Sequence, residues 1–301
     1  MKNNSVYGAI VGDIAGSFAE VAEIKALKRK SKIPYEDRIK ILNPKTPLFT
    51  NDCSLTDDSV LTIAIMDSLL CGNDYENKLK EYTKKELGLG VDKYGRNRFG
   101  KNFVTWALGD GIGDSFGNGC AMRVSPIGYA FDTLSETLYQ AELATIPSHN
   151  HSDSIICAKA TAGAIYLARH NKSKECIKEF IEETLNVKLN YDIYDLQKNS
   201  AFSALAIPTV PIALYCFLQS NNFENCVRLS ISVGGDTDTI SAIASSVAAA
   251  YYGIDDKIIA EAKKFISKDY QDVINAFENK FIFKNNDKMI DTSVNFDKIC
   301  K

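Results

Sequence analysis

The chain has 301 residues, 45% of them hydrophobic, and its 35 Lys and Arg stand against 38 Asp and Glu for a formal charge of -3. That composition supplies a sizeable core, and the near balance of charge excludes an electrostatic footprint for sequence-specific nucleic-acid binding or for an anionic membrane surface. Asp13 interrupts the apolar N-terminal run and no longer apolar stretch follows, so neither a signal peptide nor a membrane span is expected.

Eight scattered cysteines without a C-x-x-C pair fit reduced thiols, and the expected location is cytoplasmic. In chain order, "YGAIVGDIAGSFAE" sets Gly8, Gly12 and Gly16 four apart, so one helical face has no side chains and something approaches its backbone closely. Tight helix packing explains the glycines, whereas Glu20, next on that face, is the better candidate for chemistry. Asp13 reads equally well as a cap on a neighbouring helix. After a looser stretch over Lys28 to Asn51, "SLTDDSVLTIAIMDSLLC" places Thr56, Asp57 and Asp58 directly before a helix over Ser59 to Cys71 that is apolar nearly all round and therefore buried. Lys93, Arg96, Arg98 and Lys101 form a basic loop, either solvated or able to attract a pyrophosphate.

The segment "GDSFGNGCAMR", Gly113 to Arg123, is a glycine-rich turn opening into a helix. It reads either as a loop with Asn118 as N-cap or as a cradle of backbone N–H groups for a phosphate. Helical periodicity continues over Glu136 to Thr145, Ser154 to Arg169, Lys174 to Leu185, Pro211 to Gln219 and Asp256 to Ser267. His149 and His151 in "SHNHSD" precede one of these helices, where neutral imidazoles could cap backbone groups or meet a ligand. Tyr191 to Ala201 reads as a polar insertion. "SVGGDTDTISAIASSVAAAYYG" opens with Asp236 and Asp238 behind two glycines and continues as an Ala- and Ser-rich central packing helix ending at Gly253. "KFIFK" at 280–284 reads as a short strand, and the tail after Asn285 as loosely attached. No linker or change of composition divides the chain, so residues 1–301 are expected to form one all-α domain, an orthogonal helical bundle.

Two helix starts therefore carry doubled aspartates. A single pair is usually an over-supplied cap. Brought into one site, however, four carboxylates repel by several kcal/mol unless protonated or neutralised, and two divalent cations offset four negative charges. Hard oxygen ligands suit Mg²⁺, Mn²⁺ or Ca²⁺, Thr56 and Thr239 add neutral oxygens, and the absence of His and Cys from both clusters argues against zinc.

In their order along the chain, "GAIVGDIAGSFAE", "LTDDSVLTIA", "SFGNGCAMRVSPIG", "SHNHSD" and "SVGGDTDTISAIASSVAAAYYG", together spanning residues 6–253, resemble the ADP-ribosylglycohydrolases. The resemblance implies an all-α fold with a cleft holding two Mg²⁺ or Mn²⁺ ions. It makes Thr56, Asp57 and Asp58 the first metal-ligand group and Asp236, Asp238 and Thr239 the second, with the two glycines leaving room for ions and ribose. By the same resemblance Ser115, Phe116, Gly117, Asn118 and Gly119 line the diphosphate and distal ribose, His149 contacts the phosphate region, and Glu20 matches a glutamate that closes over the metals. The implied activity is hydrolysis of the bond between C1″ of ADP-ribose and a protein side chain, with Asp57, Asp58 or Glu20 as the base for water. Alternatives are a catalytically silent ADP-ribose-binding module and a hydrolase of a free derivative such as O-acetyl-ADP-ribose. The expected partners are an ADP-ribosylated protein or an ADP-ribose-containing small molecule, and the expected state is monomeric. Ser59 replaces a threonine common in the family, "SHNHSD" replaces T-H-N-H-P-E, and Ile212 stands where many relatives carry glutamate.

Overall fold

The helices follow from the side-chain pattern and are held by one buried apolar cluster that runs from Val6 to Ile282 in a computed structural model describing residues 5–91, 95, 97–109 and 111–283. In chain order they are α1 (Tyr7–Lys28), α2 (Tyr35–Arg38), α3 (Asp57–Leu70), α4 (Tyr75–Gly88), α5 (Lys101–Leu108), α6 (Gly119–Met122), α7 (Ile127–Ala130) and α8 (Leu134–His149). The second half continues with α9 (Ser152–Arg169), α10 (Lys174–Leu185), α11 (Ile193–Asn199), α12 (Ala206–Gln219), α13 (Phe223–Ser232), α14 (Thr237–Tyr252), α15 (Asp256–Lys263) and α16 (Lys268–Glu278). No strand forms among the described residues, only two isolated bridges, so the all-α expectation holds.

The central element is α14, buried along its whole length from Thr237 to Ala250. Its Ala and Ser side chains let α1 lie against it almost backbone to backbone. A Cβ at Gly8 would stand 2.5 Å from the Ser245 carbonyl oxygen, one at Gly12 2.2 Å from that of Ser241, and one at Gly16 2.4 Å from that of Thr237. The glycines are thus packing residues, spaced by the helix repeat so that one carbonyl of the antiparallel partner fills each gap. Thr237 Oγ1 closes the contact by donating to the Gly16 carbonyl at 2.9 Å.

Two local expectations change. Residues Asn279–Phe283 continue α16 as a π-helical turn instead of forming a strand, and Lys284 lies outside the described residues, as does the tail after Asn285. The stretch from Tyr191 to Ala201 contains α11, capped by the Asp192 carboxylate on the Tyr194 and Asp195 N–H groups. Six cysteines, Cys53, Cys71, Cys120, Cys157, Cys216 and Cys226, are free thiols, and all but Cys71 are buried. No helix among the described residues is long and apolar enough to cross a membrane.

The α1–α14 contact gives a direct stability test. Gly12→Ala forces the backbones apart and is expected to cost about 3 kcal/mol, the upper range for overpacking, despite alanine's better helix propensity. Gly88→Ala, where a Cβ meets nothing within 4 Å, serves as the control and is expected to be neutral or to stabilise by up to about 1 kcal/mol. Urea unfolding of both variants measures the difference, and equal midpoints would contradict the packing role.

Candidate metal centre and ligand cleft

The packing of α1 on α14 carries the functional side chains to one end of the bundle. Glu20 follows Gly16 by one turn and reaches Asp236 and Asp238 at the start of α14; carboxylate oxygens of the three lie within 4.8 Å of one another. Asp13, Asp58 and Asp238 form a second such triad. The two acidic pairs that are nearly 180 residues apart in sequence therefore meet, with Asp238 common to both groups.

Helix capping does not explain the aspartates. Thr56 is the N-cap of α3, accepting the Asp58 N–H at 3.3 Å. Asp13 reaches across from α1 to accept the Thr56 and Ser59 N–H groups, both at 3.1 Å, the Thr56 hydroxyl at 2.6 Å and the Ser59 hydroxyl. Asp57 and Asp58 are left for other work. At α14, Asp236 occupies the N-cap position yet makes no capping bond with its side chain; its Oδ2 accepts Asn118 Nδ2 at 2.7 Å instead. Asp238 Oδ1 accepts the Thr239 N–H at 2.9 Å, and the Thr239 hydroxyl lies 3.9 Å from Met122 Sδ.

Asp13, Asp58, Asp236 and Asp238 are at most 7% exposed, whereas Asp57 and Glu20 are half-buried. Burial pushes Asp13 up to about 6, against the four hydrogen bonds that pull it down, and pushes Asp236 up to about 6 against hydrogen bonds from Asp238 and Asn118. Asp57, Asp58 and Asp238 are raised well above the carboxylate range by burial first and then by neighbouring acids: Asp13 acts on all three, and Glu20 on Asp57 and Asp238. The buried Asp58 Oδ1 has no hydrogen-bond partner. Clustered, desolvated oxygen donors that repel one another, one of them orphaned, fit hard divalent cations.

A cleft of about 790 Å³ opens from this cluster. Glu20, Asp57, Asp58, Asp236, Asp238 and Thr239 line its wall together with Ser115, Phe116, Gly117, Asn118, Gly119 and His149. Thr56 lies beneath, lining a smaller recess of about 200 Å³ that also touches Glu20, Asp57 and Asp238. The thirteen residues that the resemblance assigns to metals, catalysis and ligand thus line these two recesses, which share Glu20, Asp57 and Asp238.

The glycine-rich loop is clamped on both sides. Ser115 N–H donates to Ser148 O at 3.3 Å and Asn150 N–H to Gly113 O at 2.8 Å; Asn118 N–H donates to Ala204 O at 2.8 Å and Ala206 N–H to Phe116 O at 3.1 Å. Gly117 N–H is taken by Ser115 Oγ at 3.1 Å. Three of the N–H groups expected to cradle a phosphate are therefore committed within the protein. Asn118 does not cap α6 with its side chain. The two histidines divide their roles. His151 caps α9, its Nδ1 accepting the Asp153 N–H at 3.2 Å, while His149 ends α8 and faces the cleft. Burial and the charge of Arg123 hold the His149 imidazole neutral.

The glycines before Asp236 also differ from expectation. Gly234 and Gly235 both have positive φ, and a Cβ at Gly234 would stand 2.4 Å from Cζ of Arg38 and 2.7 Å from Oε1 of Glu23, not in the path of an ion. Glu23 is ion-paired to Arg38 at 2.8 Å, and the pair packs against Gly234. Ile212 packs against the core and is absent from the cleft wall. Of the basic loop, Arg98 and Lys101 line the cleft, with Arg98 Nη1 donating to Leu55 O at 3.0 Å, whereas Lys93 and Arg96 lie outside the described residues. Phe103 and Phe202 also line the cleft and carried no sequence signal, since only the fold brings them there; Arg123, at the end of the glycine-rich segment, lines it too.

A model of the family described as ADP-ribosylglycohydrolase matches residues 4–281, extending the similarity beyond Gly253 through α16. The chain is 26% identical to ADP-ribosylhydrolase ARH3 of Mus musculus, with 82% of each chain covered. It is 22% identical to ADP-ribosylarginine hydrolase Tri1 of Pseudomonas putida (strain GB-1), over 66% of this chain and 59% of that one. It is 28% identical to ADP-ribosyl-[dinitrogen reductase] glycohydrolase of Rhodospirillum rubrum over 46% and 47% of the two chains. A solved structure described as an ADP-ribosylglycohydrolase-related protein complex superposes with a TM-score of 0.64 at 17% identity, covering 93% of this chain and 98% of that one, which shows a shared fold. The chain belongs to the ADP-ribosylglycohydrolase family.

Proposed function

We propose that this protein is a divalent-metal-dependent hydrolase that removes ADP-ribose from modified protein side chains. The observation that carries the reading is the convergence of Asp57 and Asp58 with Asp236 and Asp238 in the wall of a cleft that the Ser115–Gly119 loop also lines. The naming of the relatives as hydrolases of ADP-ribosyl groups supports it. In this reading Thr56, Asp57, Asp58, Asp236, Asp238 and Thr239 hold two Mg²⁺ or Mn²⁺ ions. When bound, the ions orient the ribose hydroxyls and a water and lower the cost of ionising that water.

The chain's own groups account for the rest. Six carboxylates surround the site, and two divalent ions offset four of their charges, so the remaining negative charge favours the oxocarbenium-like state formed as the C1″ bond breaks. Glu20, half-buried at the cleft wall, takes the proton from the attacking water and returns it to the departing acceptor atom. The water oxygen ends bonded to C1″, and the acceptor leaves with a hydrogen. The Ser115–Gly119 loop and His149 hold the diphosphate end, and Asn118 ties that loop to Asp236, coupling ligand seating to the ion site.

ADP-ribose release from arginine-linked and serine-linked protein substrates, with Mg²⁺, Mn²⁺ or EDTA, tests the proposal. Release is expected to require the metal and to fall by on the order of 10³-fold or more in Asp236→Ala, because several kcal/mol of charge stabilisation are lost. Asn118→Ala is expected to lose about 10- to 100-fold, as for outer-shell partners of metal ligands. Binding of ADP-ribose without release from either substrate would point to the silent binding module, and release from O-acetyl-ADP-ribose alone to a small-molecule hydrolase.

Proton linkage supplies a second test. The raised carboxylates bind protons more tightly in the folded than in the unfolded chain, so their contribution is fully present below about pH 4, the unfolded value. It is lost as pH rises through about 6, where Asp13 and Asp236 titrate. The melting temperature in EDTA is therefore expected to fall between pH 5 and pH 8, and the rise produced by Mg²⁺ to be larger at pH 8, where protons no longer compete. Asp58→Asn is expected to raise the melting temperature in EDTA and to weaken the response to Mg²⁺. A Mg²⁺ response equal at both pH values would contradict a carboxylate ion site.

A further inference from the structure

Arg123 follows α6 and is 1% exposed, yet among the described residues no carboxylate forms an ion pair with it. Its Nη2 donates to Ser148 Oγ at 2.8 Å and to Ala144 O at 3.2 Å, while Nε and Nη1 have no hydrogen-bond partner among the described residues. The guanidinium lies 5.7 Å from the Phe103 ring centroid. A buried cation held this way is costly to keep and calls for a role.

The role emerges from the donor and acceptor count at Ser148. A guanidinium only donates, so Arg123 occupies a lone pair of Ser148 Oγ. The same oxygen is 2.8 Å from His149 Nδ1. Those are its two partners among the described residues, so the hydroxyl hydrogen finds an acceptor only if it goes to an unprotonated Nδ1; the other assignment, Nδ1–H donating to the second lone pair, would leave that hydrogen buried without a partner. The hydrogen of the neutral ring then sits on Nε2. That atom makes no hydrogen bond to a described residue and stands 3.0 Å from the place a Gly119 Cβ would occupy and 3.8 Å from that of Gly117. It is a fixed N–H donor at a loop whose Ser115, Gly117 and Asn118 N–H groups are already used.

We infer that Arg123, acting through Ser148, is a positioning residue that holds His149 as the Nε2–H tautomer, giving the Ser115–Gly119 loop a neutral donor for an anionic phosphate oxygen. The tautomer relay rests on the hydrogen-bond geometry alone; the nature of the anion rests on the proposed function. The arrangement also disfavours a charged His149, which would set a second cation beside Arg123.

Long-range proton–nitrogen correlation spectra of ¹⁵N-histidine-labelled protein at pH 7, with His149→Gln to assign the signal, read the tautomer directly. The wild type is expected to show His149 protonated at Nε2 and not at Nδ1. Ser148→Ala and Arg123→Met are expected to mix the tautomers and weaken ADP-ribose binding by about 10-fold, with Arg123→Lys restoring part of both. A wild-type His149 protonated at Nδ1 would overturn the relay without any variant needing to fold, as would an unchanged tautomer and affinity in folded Ser148→Ala. A wild-type Nε2–H tautomer in a protein that does not bind ADP-ribose supports the relay and removes the proposed function.

Discussion

Everything at the candidate site depends on how closely α1 lies against α14. Three glycines one turn apart remove the side chains that would separate the two backbones, and the partner carbonyls of Ser245, Ser241 and Thr237 fill the space. The next position on the same stripe is Glu20, and Asp13 lies beside it on α1, so both carboxylates arrive at the start of α14 without a loop to position them. A carboxylate carried on a buried helix is placed more rigidly than one on a surface loop. The same contact that stabilises the bundle thereby defines the acidic cluster.

The cluster itself opposes folding. Asp13, Asp58, Asp236 and Asp238 are buried together, and the largest charge effects on Asp57, Asp58 and Asp238 come from other acids. Asp13 is partly compensated because it accepts two N–H and two hydroxyl hydrogens from the first turn of α3. Asp58 Oδ1 is not compensated at all. A chain selected for stability alone would not keep this arrangement, and local destabilisation of this kind is what a ligand-binding centre requires.

Much of this was legible because the signals were local. The apolar run after Asp58 and the small-residue helix after Asp238 define α3 and α14, and the spacing of Gly8, Gly12 and Gly16 announces a close backbone approach. What the sequence concealed was which groups act across the chain. Asp13 reads as a possible cap and proves to be one, yet it also stands within reach of Asp58 and Asp238. Asn118 reads as a helix cap, but its amide is aimed at Asp236, a partner 118 residues away. Gly234 and Gly235 read as room for an ion; both take positive φ, and Gly234 packs against the Glu23–Arg38 pair. Helices α4 and α16 mix charged residues with few apolar ones, so their one-sided pattern becomes clear only beside the partners that cover it. At 280–284 the alternation of Phe and Ile mimics a strand, although helical hydrogen bonding carries on from α16 to Phe283.

The proposed function requires the two aspartate pairs to form one centre for two divalent ions. Electron paramagnetic resonance of the protein titrated with Mn²⁺ tests it most directly, because it counts bound ions and reports whether they are coupled. Two Mn²⁺ per chain with an exchange-coupled spectrum, reduced in Asp58→Asn and in Asp238→Asn alike, is the predicted result. Independent ions, or loss in one variant with no effect of the other, would contradict a shared centre.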